Sequence, residues 1–120
     1  MKKATAAVII HEDKILITQR AKDDFWEFPG GKIDKGETPV QCIVREMKEE
    51  LNLHIEVKRF LGLVEGVYRG IPMQVFAFLA AINGGTMTLH VHKDAKWLRL
   101  NEINKYSLVE EDSVIFKEFL

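Results

Sequence analysis

Apolar residues follow one another along the chain with several distinct periods. Thr5 to Ile10 is a run of small and branched residues that reads as a buried strand. Glu12-Asp13-Lys14 is a polar turn, and Ile15 to Thr18 is a second apolar run, so the two predict a hairpin. Arg20 to Glu27 is polar apart from Phe25 and Trp26 and reads as a loop, and Pro29-Gly30-Gly31 reads as a turn. The helical period appears next. Thr38 is placed as N-cap, Pro39 as first helical residue, Val40 to Leu51 as the body, and Asn52 as a left-handed stop. Ile55–Val67 and Ile71–Ile82 are rich in Val, Ile, Leu and Phe and predict two long strands joined at Tyr68-Arg69-Gly70. Asn83-Gly84-Gly85 is a turn signal, and Thr86 to Val91 alternates like a strand. Lys96 to Leu100 is a short strand, Asn101 a cap for a helical turn, and Glu110 to Leu120 a closing helix. Strands with two interspersed helices predict one α/β domain over residues 1–120, with the helices packed on a sheet.

Composition narrows the function classes. At 120 residues there is room for one core. Lys plus Arg is 17 against 18 Asp plus Glu, which argues against a nucleic-acid polymer as partner. No apolar run approaches the ~20 residues that span a bilayer, so no membrane partner is expected. The N-terminus shows no signal peptide, and Cys42 has no second cysteine to pair with. Both features suit a cytoplasmic protein.

The chemistry lies on the helix. At about 100° per residue, Glu46, Glu49 and Glu50 share one edge as i, i+3 and i+4 neighbours. Val40, Ile43, Val44, Met47 and Leu51 form the adjacent apolar arc. Acidic residues on a helix are ordinarily a solvated face. Three packed this closely repel one another, and a hard divalent cation relieves that repulsion. Carboxylates, a backbone carbonyl and waters suit Mg²⁺ or Mn²⁺, above all when substrate phosphates complete the shell. Arg45 is placed to pair with Glu49 one turn on, or to reach back to Glu37 and orient it.

The stretch from Gly31 to Leu53 resembles the Nudix box, the signature of the Nudix hydrolases. Gly31, Glu37, Arg45, Glu46, Met47, Glu49, Glu50 and Leu53 stand at the family's spacing. Asn52 replaces the family's glycine, a mild departure because both residues serve a left-handed cap. One glycine and five specified charged residues match by chance on the order of 10⁻⁷ per starting position. Outside the box, Gln19-Arg20, Phe28-Pro29-Gly30-Gly31-Lys32, Trp97 and Leu108 to Asp112 resemble segments of MutT-like members.

The resemblance implies an α/β/α sandwich with a central mixed sheet and a loop–helix–loop metal site. It implies Mg²⁺ or Mn²⁺ as cofactor and a small nucleoside polyphosphate as substrate, in a monomer or homodimer. The implied metal ligands are Glu46, Glu49, Glu50 and the Gly31 carbonyl, with Glu37 acting through water. Glu46 is the first choice of catalytic base and Glu49 the second, with Arg45 beside them. Some members put a base before the late tryptophan, where this chain has His90-Val91-His92. His92 is therefore either a base or a structural strand histidine. Arg20 and Lys32 are phosphate contacts or surface cations. Phe28 is a wall of the base pocket or core. Asp112 reads the base, or is an acid favoured by the dipole of the last helix. Cys42 packs beneath the metal loop. The implied activity is conversion of an NTP or dNTP, with an oxidised purine or cytidine base, to the monophosphate and pyrophosphate. Hydrolysis of another nucleoside diphosphate-X, such as ADP-ribose, a dinucleoside polyphosphate or a nucleotide sugar, stands as the alternative. Non-catalytic nucleotide sensing is the third reading, and the undamaged acidic box opposes it.

Overall fold

A computed structural model describes residues 1–68 and 70–120, without the side chain of Tyr68. The elements in chain order are β1 (Lys2–His11), β2 (Lys14–Arg20), β3 (Trp26–Glu27), β4 (Gly30–Lys32), α1 (Pro39–Leu51), β5 (Leu53–Tyr68), β6 (Ile71–Gly85), β7 (His92–Leu98), a 3₁₀ turn (Leu100–Lys105) and α2 (Glu110–Phe119). The sheet is mixed. Its order is β3-β2-β1-β6-β5, with β4 also paired to β1 and β7 to β2. β1 runs parallel to β6, from Lys2 opposite Met73 to Ile9 opposite Ala80, while the other pairs are antiparallel.

Both faces of this sheet are covered, which is why β1 reads as a continuous apolar run rather than an alternating one. Ala6 and Val8 face one core together with Ile15, Ile17, Trp26, Val75, Ala77 and Ile115 of α2. Ala7 and Ile9 face the other with Leu16, Phe78, Ala80 and Ile43, Met47 and Leu51 of α1. The result is the expected α/β/α sandwich. Among the described residues no helix is long and apolar enough to cross a membrane.

Local chemistry explains the boundaries. Glu12 (φ 51°) and Asp13 (φ 63°) form the two-residue left-handed turn that suits the twist of a hairpin. Thr38 and Gln41 make a reciprocal capping box, Thr38 Oγ1 accepting from the Gln41 N–H at 3.1 Å and Gln41 Oε1 from the Thr38 N–H at 2.9 Å. Asn52 ends α1 at φ 55°. The junction expected at Tyr68-Arg69-Gly70 includes Arg69, which lies outside the described residues.

Several sequence expectations are corrected. Pro29-Gly30-Gly31 is no turn: Gly30 and Gly31 begin β4, paired with Ala6 and Thr5 of β1. A side chain on Gly30 would fall on the Thr5 carbonyl, so glycine serves close backbone approach there. Arg20 to Glu27 is not all loop, since Arg20 ends β2 and Trp26–Glu27 pairs with it as β3. Asn83-Gly84-Gly85 continues β6. Thr86 to Val91 is not a strand. Its Thr88 and His90 N–H groups donate to the Leu51 and Glu50 carbonyls, at 2.9 and 3.1 Å. Those carbonyls lie in the last turn of α1 and have no partner within the helix. The last strand spans His92–Leu98, earlier than expected. The following turn is capped by Arg99, not Asn101, with Glu102 bonded back to the Arg99 N–H.

Thr38→Ala removes one half of the capping box. It is expected to lower stability by about 1 kcal/mol. Urea unfolding should show a lower midpoint with an unchanged slope.

Candidate active site

The face that α1 buries is rotated from the one its apolar residues predict. Cys42, Ile43, Met47, Glu50 and Leu51 are buried, whereas Val40 and Val44 are 45% and 40% exposed. Two of the expected apolar positions thus face outward, and a carboxylate points inward. The rotation aims Glu46 and Glu50 at the sheet, toward the loop–strand segment carrying Gly30 and Gly31. A Cβ on Gly31 would overlap the Glu46 carboxylate, so the absent side chain makes the space that Glu46 occupies.

Arg45 ties the segment ahead of the helix to the acidic edge. Its Nε and Nη2 donate to the two oxygens of Glu37 at 2.7 and 2.9 Å. Nη1 donates to Glu46 at 2.9 Å and to Glu49 at 3.0 Å, and Nη2 also reaches the Lys32 carbonyl at 3.2 Å. Asp34 stands 3.4 Å away. Both pairings that the spacing of Arg45 allows are therefore made at once. The Arg45 guanidinium, then the Asp34 N–H, holds the Glu37 carboxyl down at about 2.

Below this unit lies Cys42. Its Sγ sits 3.3 Å from the Thr5 hydroxyl and donates to the Lys32 carbonyl at 3.3 Å. Burial pushes its thiol up to about 11, so it packs the loop and offers no ready thiolate.

A cleft of about 620 Å³ opens between α1, β3–β4, the start of β7 and the start of α2. It brings together Arg20, Phe28, Gly31, Lys32, Glu46, Glu50 and Asp112 from the residues singled out in the sequence. Glu37, Arg45 and Glu49 do not line it. Glu37 is turned to Arg45, and the Glu49 side chain is 61% exposed beside the same guanidinium. Arg20 pairs with Asp23 at 2.8 Å, and a bulge between Gln19 and Arg20 sets it opposite His92. The 100–109 segment runs past β3, where the Trp26 N–H donates to the Ser107 carbonyl and the Val109 N–H to that of Trp26. That contact seats α2 so that Asp112 Oδ2 accepts the Phe28 N–H at 2.8 Å.

Glu27 and His92 also line the cleft. Glu27 was not singled out in the sequence. Its signal is the alternation of Trp26 (buried), Glu27 and Phe28 (buried), which puts Glu27 on the opposite face from two core aromatics once the segment is read as a strand. His92 was weighed as base or structural residue. Its Nε2 lies 2.7 Å from Glu27 Oε2 and 3.6 Å from Glu50 Oε1.

Acidic side chains crowd together here. Burial, followed by the hydrogen bond to Glu46 and the charges of Glu46, Glu27 and Glu49, pushes the Glu50 carboxyl up to about 10. Burial likewise drives Asp112 well above the usual carboxylate range, against the lowering effect of the Phe28 N–H. The oxygen donors of Glu46, Glu50 and the Gly31 backbone suit a hard divalent cation, which would displace the Glu50 proton.

A mixed sheet between two helices thus carries an Arg-linked loop–helix unit that brings carboxylates to a cleft. The NUDIX domain profile matches residues 1–119, and the chain belongs to the Nudix hydrolase family. It is 31% identical to the CTP pyrophosphohydrolase of Escherichia coli K12 over the whole of this chain and 92% of that protein. It is 30% identical to the ADP-ribose pyrophosphatase of Methanocaldococcus jannaschii, covering 98% of this chain and 72% of that one. The solution structure of the E. coli ORF135 protein superimposes with a TM-score of 0.88 at 30% identity, over 99% of this chain and 88% of that one.

Between the unfolded carboxylate value of 4.5 and about 10, native Glu50 keeps a proton that the unfolded chain releases. The unfolded state then binds fewer protons, so stability falls as pH rises through this window. Glu50→Gln should flatten that fall in metal-free protein and raise the melting temperature at pH 8. Thermal melts of both proteins between pH 5 and 9 in chelator check this.

Proposed function

We propose that the cleft binds a nucleoside triphosphate, NTP or dNTP, and that the enzyme hydrolyses it to the nucleoside monophosphate and pyrophosphate. The observation that carries this reading is one continuous cleft with three chemistries in it. The α1 carboxylates Glu46 and Glu50, the cations Arg20 and Lys32, and the buried Phe28–Asp112 pair all line it. A polyphosphate with a base attached needs all three.

In this reading Glu46, Glu49 and Glu50, with the Gly31 carbonyl, hold Mg²⁺ or Mn²⁺. The cation, when bound, neutralises the polyphosphate, polarises a phosphoryl oxygen and makes water a better nucleophile. Arg20 and Lys32 hold phosphate oxygens. Glu46 takes the proton of the attacking water, with Glu49 the second candidate. Arg45 positions: its bonds to Glu46 and Glu49 fix both carboxylates, and Glu37 fixes Arg45 in turn.

Asp112 reads the base, with Phe28 as the adjoining wall. One oxygen already accepts the Phe28 N–H, and burial favours the protonated acid. A protonated carboxyl offers a hydroxyl donor beside a carbonyl acceptor. That edge complements the N3 and amino group of cytosine, and also the O6 and N7–H of an oxidised guanine. The similarity to a CTP pyrophosphohydrolase supports the cytidine choice. Its single cysteine, buried and without a disulfide partner, suits the cytoplasm, where these nucleotides are dissolved. A second reading, hydrolysis of another nucleoside diphosphate-X, is favoured by the similarity to an ADP-ribose pyrophosphatase.

The test is product release with Mg²⁺ over a panel of the common NTPs and dNTPs, 8-oxo-dGTP, ADP-ribose and a diadenosine polyphosphate. The expected outcome is pyrophosphate from one nucleotide at a kcat/KM well above the rest. Turnover of ADP-ribose or the dinucleotide alone would overturn the triphosphate reading. Glu46→Gln should cost roughly 10²- to 10⁴-fold in kcat, the usual worth of a general base. Asp112→Asn keeps a donor beside an acceptor and should retain base preference. Asp112→Ala should flatten it by at least about tenfold, since a polar reader discriminates strongly.

A further inference from the structure

His92 and Glu27 lie outside the box, yet they meet its most buried carboxylate. They come from β7 and β3, and Glu50 comes from α1. One oxygen from each of Glu27 and Glu50 and one His92 nitrogen all lie within 4.8 Å of one another. The His92 side chain is 2% exposed. Its Nδ1 is buried with no hydrogen-bond partner among the described residues.

Such a group has two readings. In one, Nε2 is a metal ligand alongside the carboxylates. The imidazole then presents its lone pair at Nε2 and carries its hydrogen on Nδ1. Ligating histidines almost always give that second N–H to an acceptor. Here Nδ1 faces none, and a buried orphan N–H is costly. In the other reading the hydrogen is on Nε2, which donates to Glu27 at 2.7 Å, and Nδ1 keeps only an unfilled lone pair. Buried acceptors without a partner are tolerated more often than buried donors. The same Nε2 stands 3.6 Å from Glu50 Oε1, beyond hydrogen-bond length but near enough for the N–H dipole to attract it.

We propose that His92 is a positioning residue of the metal site: its Nε2–H holds Glu27 and draws Glu50 Oε1 toward the strands, fixing from the sheet side the carboxylate that α1 delivers. This rests on the reading of the acidic helix edge as the cation site. The helix ladder sets where the Glu50 backbone lies, but its side chain has three torsions to settle. Arg45 settles Glu46 and Glu49 from the loop side. His92 does the equivalent work for Glu50.

Mn²⁺ binding to the full chain without nucleotide, followed by calorimetry, is the primary measurement. His92→Leu should weaken Mn²⁺ by about 10- to 100-fold, the usual effect of losing a partner that orients a ligand. The Mg²⁺ concentration for half activation should rise in parallel, while nucleotide KM at saturating Mg²⁺ stays within about threefold. His92→Gln, whose amide can donate from near the Nε2 position, should recover most of the loss. Electron spin-echo spectra of the Mn²⁺ protein should show no imidazole nitrogen coupling that disappears in His92→Gln. Such a coupling would make His92 a ligand and overturn the proposal. Equal Mn²⁺ affinity in wild type and a folded His92→Leu would also overturn it, with the cation site left standing. Absence of Mn²⁺ binding by the wild type would remove the cation site and the proposal together. If circular dichroism shows His92→Leu unfolded, the spin-echo result on wild type and His92→Gln decides.

Discussion

The fork of Arg45 is the constraint on which the site depends. One planar guanidinium grips Glu37 with two parallel bonds and still reaches Glu46, Glu49 and the Lys32 carbonyl. A lysine offers a point charge and no fixed fork, so it could not set this many angles at once. Because Glu37 and Lys32 belong to the segment before α1, the same contacts fix how that segment returns to the helix. The loop is thereby held at the distance where Gly31 meets Glu46. Most bonds in the unit are partly exposed, so their worth is geometric more than energetic.

The sheet supplies the other half of the geometry through what it lacks. Gly30, paired with Ala6, lies so close to the Thr5 carbonyl that no side chain fits, and Gly31 leaves its Cβ space to the Glu46 carboxylate. Cys42 fills the gap beneath, against Thr5 and the Lys32 carbonyl. Small residues there bring one strand edge and one helix face near enough for backbone and carboxylates to share a site. The large side chains sit in the two cores on either side, which carry the burial that stabilises the domain.

How much of this was legible follows from the range of the forces. The α1 boundaries were readable to the residue because Thr38, Pro39, Gln41 and Asn52 act within a turn of themselves. The long strands were readable from their branched residues. The rotation of α1 was not, since Val40 and Val44 match the apolar period as well as the buried residues do. Only the demand of the cleft for Glu46 and Glu50 turns them outward. Thr86 to Val91 alternates like a strand, but its N–H groups are taken by the Leu51 and Glu50 carbonyls before any strand can claim them. Glu27 and His92 are 65 positions apart, a pairing that no local pattern announces. Arg20, Phe28, Gly31, Lys32, Glu46, Glu50 and Asp112 do share a cleft. The box spacing carried Gly31, Lys32, Glu46 and Glu50, which are near one another in the chain, whereas Arg20, Phe28 and Asp112 lie outside the box and were legible only through the resemblance to MutT-like segments.

Glu50 shows why such a site stays poised for a cation instead of collapsing into something more comfortable. A buried carboxylate among like charges would, on stability alone, be replaced by an apolar residue. Arg45, on the same helix, bonds Glu37, Glu46 and Glu49. His92 gives its hydrogen to Glu27 and approaches Glu50 without bonding it. Glu50, the most buried carboxylate of α1, therefore has no Arg or Lys in ion-pair reach among the described residues. That imbalance suits the proposed divalent ion, which would take the place of the proton that burial and like charges hold on Glu50. With the carboxylates fixed beforehand, by Arg45 on the helix itself and by His92 from the sheet, little order would have to be created on binding an ion.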